Sequence, residues 1–74
     1  MWLVRQQVQG SSHVQWLNWD PASRVLTVEY KGARLYEYAG VDYDTWVRLM
    51  KAPSKGVFLR REIQPRFPGK AVAA

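Results

Sequence analysis

Residues 25–38 have the pattern of two β-strands joined by a turn, and this hairpin constrains the fold more than any other stretch. Large apolar residues at positions 26, 28 and 30 alternate with smaller or polar ones, the period of two that is typical of a half-buried strand. Gly32 marks the turn, and a bulge there would change how the two strands align. In the simplest register the hairpin has one dry face, which comprises Leu26, Val28, Tyr30, Tyr36 and Tyr38.

Further strands are expected upstream of this hairpin. Residues 13–19 form a candidate strand that enters the hairpin through the turn signal at residues 20–23. Because Trp16 and Trp19 fall on opposite parities, this strand is either buried on both faces or bulged near Trp16 or Leu17. Residues 1–10 are either an additional strand or a lead-in to the core.

Two short helices are expected to cover the dry face. Asp42 is a candidate N-cap, and an apolar stripe with spacing i, i+3, i+4 and i+7 follows it, formed by Tyr43, Trp46, Val47 and Met50. Ser54 caps a second helix from Gly56 to about Ile63, with Phe58, Leu59 and Ile63 pointing inward. The prediction is a single α+β domain with a core of about residues 12–70 and a tail at 71–74. Its sheet is a three-stranded, alternatively four-stranded, antiparallel meander, with both C-terminal helices packed on one face.

Composition excludes several classes of function. The chain has 74 residues and no cysteine, so it can form neither a disulfide nor a thiolate metal or redox site. His13 is the single histidine, with no evident carboxylate partner, so we expect no enzymatic activity, no metal and no cofactor. No apolar run approaches the ~20 residues of a membrane span. We therefore expect a cytoplasmic protein that is not bound to a membrane.

The positive charge is concentrated in the C-terminal part of the chain. Residues 1–47 carry four basic and five acidic side chains, whereas residues 48–74 carry seven basic side chains and one acidic one. Such asymmetry favours an acidic partner, nucleic acid first, although a basic face can also serve solubility alone. The candidate nucleic-acid-binding residues are Lys51, Ser54, Lys55, Gly56, Arg60, Arg61 and Arg66, with Lys70 as an extension of the patch.

Ser54-Lys55-Gly56 has two interpretations. Backbone N–H groups at a helix start can hold a phosphate, but the same residues also make an ordinary cap and tight turn.

The aromatic residues also have two interpretations. Tyr36 and Tyr38 either stack on bases or pack in the core, and their shared parity with Leu26 and Val28 favours the core. Of Trp16 and Trp19, a regular strand would leave one available as an exposed contact.

Several of these residues together resemble the KTSC domain, a small bacterial module named for its occurrence at the C-terminus of some lysyl-tRNA synthetases and also found as a stand-alone protein. The most recognisable features are Tyr36-x-Tyr38, the following Gly40-Val41 and Ser54-x-Gly56. The match runs from about Ser12 to Lys70. The chain departs from the family pattern at Leu59, where Asn is common, which argues against a polar role at that position. An RNA-binding role has been suggested for the family, whose biochemical activity is not established.

Two functions are compatible with this sequence. The first is a small non-catalytic module that binds RNA or another polyanion through the basic C-terminal half. The second is a protein-interaction module that uses an open sheet face or edge, with another protein or a second copy as partner. Convergence of the cations beside an exposed aromatic residue would favour the first function, and scattered cations around an apolar patch would favour the second.

Overall fold

The computed structural model describes residues 4–8, 13–32 and 34–72, and its centre is one antiparallel sheet. Four strands precede the helices and a fifth follows them, and spatial neighbours are also neighbours in sequence order. The strands are β1 (Val4–Gln7), β2 (Val14–Asp20), β3 (Val25–Tyr30), β4 (Arg34–Tyr38) and β5 (Gly69–Val72). The helices are α1 (Tyr43–Lys51) and α2 (Lys55–Phe58), and α2 continues into a π-helical segment, Leu59–Ile63. The α+β meander with C-terminal helices is confirmed, and so is the additional N-terminal strand.

The predicted tail is wrong for the residues that form β5. Gly69–Val72 pairs antiparallel with β4, and Glu37 lies opposite Lys70. The strand is positioned by the preceding turn, where the Ala39 amide donates to the Pro68 carbonyl at 3.1 Å. Ala73 and Ala74 lie outside the described residues.

The register places the predicted dry face against the helices. Leu26 pairs with Tyr38 and Val28 with Tyr36, as the simplest alignment requires. In β2 the pairing shifts between Val14 and Trp16, which confirms the predicted bulge. The extra residue lets Val14 and Leu17 both be buried, although a regular strand would turn them to opposite faces.

Helix α1 begins as predicted but presents a different stripe to the sheet. The Asp42 side chain caps it by accepting from the Thr45 amide at 3.2 Å. Hydrogen bonds from the Thr45 side chain and from this amide lower the pKa of Asp42. The buried residues of α1 are Thr45, Trp46 and Leu49. Tyr43 is 68% exposed, so its place in the predicted stripe is wrong. It lies in the first turn, where its ring meets Trp19 at a centroid distance of 5.9 Å.

The core lies between the sheet and the helices. Trp19 stacks on Trp46 with ring centroids 5.9 Å apart, and its indole N–H donates to the Val41 carbonyl at 2.8 Å. Leu59 and Ile63 close the other end of the core, as predicted. Within the described part of the chain, no helix has the length and apolar character needed to cross a membrane.

Candidate nucleic-acid interface

A cleft of about 730 Å³ separates the β3–β4 end of the sheet from α2 and the π-helical segment. Cations, phenol rings and small polar groups share its wall. The lining residues are His13, Tyr30, Lys31, Arg34, Tyr36, Tyr38, Ser54, Gly56, Val57, Arg60 and Gln64. Two segments that are distant in sequence therefore supply one concave surface.

The sheet side of the cleft is fixed by the β3–β4 turn. The Lys31 amide donates to the His13 carbonyl at 2.8 Å, which ties the turn to the start of β2. Gly32 has a φ of +88°, a left-handed conformation that most other residues adopt only with strain. Arg34 pairs with Tyr30 across the two strands, so it lies on the helix-facing side of the sheet. Lys31 and Arg34 were missed as site residues, although the parity that Arg34 shares with Tyr36 could have identified it.

The helical side carries the third cation. Gln64 donates its amide to the Leu59 carbonyl at 2.9 Å, the i to i+5 bond of a π-helix. Leu59 and Ile63 are buried on one side of this segment, whereas Arg60 and Gln64 are exposed and line the cleft. Arg60 is thus the predicted basic residue that the structure brings into the cleft, together with Ser54 and Gly56.

Tyr36 and Tyr38 both line the cleft, but they differ in burial. Tyr38 is buried, and burial together with a hydrogen bond to Tyr30 raises its pKa; the two hydroxyls lie 3.4 Å apart. Tyr36 is half-buried and meets Tyr30 edge to face, with centroids 5.7 Å apart. Tyr38 therefore packs mainly in the core. Tyr36 offers more ring surface, and base stacking on it stays a prediction.

Ser54 and Lys55 are engaged in local structure. The Ser54 hydroxyl accepts from the Val57 amide at 3.3 Å, which makes it the cap of α2. The Lys55 ammonium donates to the carbonyls of Met50 and Ala52, each at 2.8 Å, and so satisfies the C-terminal end of α1. Lys55 is not among the residues that line the cleft, so these contacts do not support its predicted role in phosphate binding.

The other predicted cations do not line the cleft. Arg66 forms an ion pair with Glu62, with Nη1 3.2 Å from Oε1. The same Oε1 lies 3.6 Å from Nη2 of Arg48. Lys51 is exposed in the last turn of α1, and Arg61 lines a second groove. The predicted basic set is therefore only partly brought together.

The two tryptophans of β2 have separate positions. Trp19 is 4% exposed and belongs to the core, so it is not an exposed contact. Trp16 pairs with Glu29 and lies on the outer face of the sheet, opposite the helices, where it is half-buried. Trp16 therefore faces away from the cleft, which lies on the helix-facing side of the sheet.

Comparison with known proteins identifies the family. The model of the KTSC domain matches residues 10–67. The chain belongs to the KTSC domain family. A crystal structure of a KTSC domain protein from Yersinia pestis matches 97% of this chain and 100% of its own, with a TM-score of 0.87 at 29% sequence identity. A protein from Tsukamurella paurometabola is 33% identical over 63 residues, which cover 85% of this chain and 91% of that protein.

The range matched by the KTSC model includes every residue that lines the cleft, from His13 to Gln64. The cleft thus belongs to the KTSC domain itself. The two edge strands, β1 and β5, lie beyond the matched range.

Proposed function

We propose that this KTSC domain is a non-catalytic module that binds single-stranded RNA in the cleft between the β3–β4 turn and α2. The supporting observation is that Lys31, Arg34 and Arg60 line one concave surface together with Tyr36. Cations contact phosphates and hold a strand in position, while aromatic rings stack on its bases.

Single-stranded RNA fits the cleft better than a duplex does. The tyrosine rings lie on the wall of a concavity, where only an unstacked base can reach them. Sequence-specific proteins commonly contact RNA in single-stranded loops and ends, whose bases are free to splay outward. A duplex would instead offer its phosphates to a surface, and its bases would stay away from Tyr36.

Binding is favoured over catalysis by the chemistry of the wall. The described residues that line the cleft include no carboxylate and no thiol. The Ser54 hydroxyl is already an acceptor for the Val57 amide, as expected of a helix cap. A nucleophile normally has an adjacent base and a third group that orients that base, and the described residues of the wall supply no carboxylate for that third position.

The test is the salt dependence of binding to a fluorescent single-stranded RNA. Arg60→Ala and Lys31→Ala should weaken binding and reduce the log–log salt slope by about one each, because each removes one phosphate contact. Lys51→Ala and Lys70→Ala are matched controls, since they remove the same charge from exposed positions that do not line the cleft. The controls should bind nearly as the wild type does.

Two further ligands test the chemistry of the proposal. Duplex RNA should compete poorly with the single strand, and polyphosphate should compete only at low salt because it carries no bases to stack. Absence of RNA binding at low salt, or equal losses in the cleft and control variants, would refute the proposal.

A second candidate is protein interaction through the outer face of the sheet. Half-buried apolar side chains form a row across it, with Trp16 and Leu35 on either side of Glu29 and Val72 at the end. If this face joins two copies, Leu35→Lys should convert a dimer to a monomer in sedimentation. If wild type and variant sediment alike as monomers, self-association is excluded.

A further inference from the structure

A second groove lies beside the cleft, on the other side of the first turn of α2. It has a volume of about 350 Å³, and its wall is largely apolar, formed by Ala52, Pro53, Val57 and Phe58. Ser54 and Val57 line both the cleft and the groove. The two concavities are therefore adjacent, and a ridge of two side chains separates them.

Two consecutive arginines line different concavities. Arg60 lines the cleft and Arg61 lines the groove, and both side chains are exposed. Within the described residues, the ion pairs engage neither of these guanidiniums. Each concavity therefore has a cation available for an anionic ligand.

Glu62 also lines the groove, and its negative charge opposes an anionic ligand. The same carboxylate pairs with Arg48 at 3.6 Å and with Arg66 at 3.2 Å. Two positive groups therefore offset one negative group next to Arg61. The wall of the groove also includes apolar surface from Pro53 and Phe58, which suits the face of a base better than it suits a bare phosphate.

We infer that the cleft and the groove are two consecutive subsites for one single strand, which crosses the ridge at Ser54 and Val57. This inference rests on the proposed function, and it adds a site of at least two nucleotides to it. One nucleotide lies in the cleft near Arg60, and its neighbour lies in the groove near Arg61. Successive bases of an unpaired strand can splay to opposite sides of such a ridge, which a duplex cannot do.

The experiment is an NMR titration of the full chain with uridine 5′-monophosphate and with oligouridylates of two, four and eight nucleotides. The monophosphate should shift amide signals of the cleft, such as those of Lys31 and Arg34. Signals of Phe58 and Arg61 should shift only with the longer ligands. The variants are Arg60→Ala, Arg61→Ala and Val57→Glu, with Arg66→Ala as the matched control outside both concavities.

Arg60→Ala should weaken binding of every ligand. Arg61→Ala should leave monophosphate affinity unchanged and weaken the tetranucleotide by about fivefold or more, the lower end of what one stacked base contributes. Val57→Glu places a negative charge on the ridge that borders both concavities, so it should weaken the tetranucleotide more than the monophosphate. Val57 is 38% exposed, so a charged side chain there is compatible with folding, which circular dichroism of the variant checks.

The outcomes separate this inference from the proposed function. If Arg61→Ala and Val57→Glu bind all lengths as wild type while Arg60→Ala binds them weakly, the second subsite is wrong and the cleft stands. Equal weakening of all lengths by Arg61→Ala would also exclude a separate subsite. If the wild type binds none of the ligands, the proposed function itself fails.

Discussion

Gly69 lies opposite Tyr38 in the β4–β5 pair, and its hydrogen side chain leaves room for the tyrosine ring. A Cβ atom at this position would collide with ring carbons of Tyr38. The ring is buried and its hydroxyl lies near that of Tyr30, so it cannot easily move aside. Close packing of an aromatic ring across a cross-strand glycine thus explains the glycine at the start of β5.

Gly69→Ala should therefore lower the free energy of unfolding by about 1–3 kcal/mol, the usual cost of forcing an extra carbon into a packed site. Urea unfolding followed by tryptophan fluorescence measures it. Gly56→Ala is the control, because nothing lies within 4 Å of a Cβ added there. A helical alanine at that position should be neutral or stabilising by up to about 1 kcal/mol. Equal effects of the two substitutions would contradict this account.

Tyr38 also makes stability depend on alkaline pH. Burial raises its pKa above the value of an exposed phenol, so the unfolded chain releases the proton at a lower pH than the folded chain does. The associated stability is complete below about pH 10, the pKa of an unfolded tyrosine, and is lost as the pH rises beyond it.

Tyr38→Phe removes the ionisable group, so its unfolding free energy should fall less steeply above pH 10 than that of the wild type. Urea unfolding at pH values from 9 to 11.5 measures the difference. Tyr43→Phe is the matched control, because it removes a hydroxyl from a ring that is 68% exposed. A slope for Tyr38→Phe as steep as that for Tyr43→Phe would refute the assignment.

At the scale of elements, Lys55 joins the two helices. Its ammonium donates to two carbonyls at the end of α1, so it belongs to the stability of the fold rather than to the cleft. Lys55→Met keeps the length of the side chain and removes the donor. The variant should lose about 1–2 kcal/mol of unfolding free energy, since charged hydrogen bonds to exposed helix ends contribute on this scale.

The same variant should keep its RNA affinity close to that of Lys51→Met, which removes an equal charge from the last turn of α1. Arg60→Met should show the reverse behaviour, with normal stability and weaker binding. Chemical unfolding measures the stability of the three variants, and fluorescence anisotropy measures their RNA affinity. The assignment would be wrong if the Lys55→Met protein were as stable as the Lys51 variant but bound RNA as weakly as the Arg60 variant. Lys55 would then belong to the binding site.

The elements differ in how far the sequence determines them. The β3–β4 hairpin follows from local alternation, and the caps at Asp42 and Ser54 follow from side chains that bond three residues ahead. Strand β5 has no such signal, because Gly-Lys-Ala-Val is short and weakly patterned, and its pairing partners lie 31 to 37 residues earlier. The pairing is specified by tertiary packing, in part by the fit of Tyr38 over Gly69.

The candidate site shows the same division. Arg34 could have been found from its parity with Tyr36, whereas the contacts of Lys55 depend on how closely α1 and α2 approach. The basic C-terminal half suggested one patch, but the ion pairs of Glu62 and the divergence of Arg60 from Arg61 divide it. Charge counted along a chain does not report these pairings, since one joins residues four positions apart and the other joins α1 to the π-helical segment.

At the scale of the whole molecule, the aspartates at the start of α1, Asp42 and Asp44, and the cleft lie at opposite ends of the sheet. The amide of Val41 donates to the carbonyl of Arg24, which places the start of α1 beside the β2–β3 turn. Asp44 is therefore at the end of β3 opposite Lys31. The molecule extends 24–29 Å along its axes, several times the ~8 Å over which charges remain unscreened at physiological salt. RNA in the cleft should therefore respond to the local cations and not to the net charge of +5.

Two single-charge substitutions separate these possibilities. Arg34→Gln lowers the net charge by one at the cleft, and Asp44→Asn raises it by one at the far end. At 0.15 M salt we expect Arg34→Gln to weaken single-stranded RNA binding by about fivefold, and Asp44→Asn to stay within about twofold of wild type. At 0.01 M salt, where the screening length is about 30 Å, Asp44→Asn should strengthen binding. Anisotropy titrations at both salts measure these effects. If Asp44→Asn strengthened binding at 0.15 M as much as Arg34→Gln weakened it, affinity would follow total charge, and the cleft would have no special part in it.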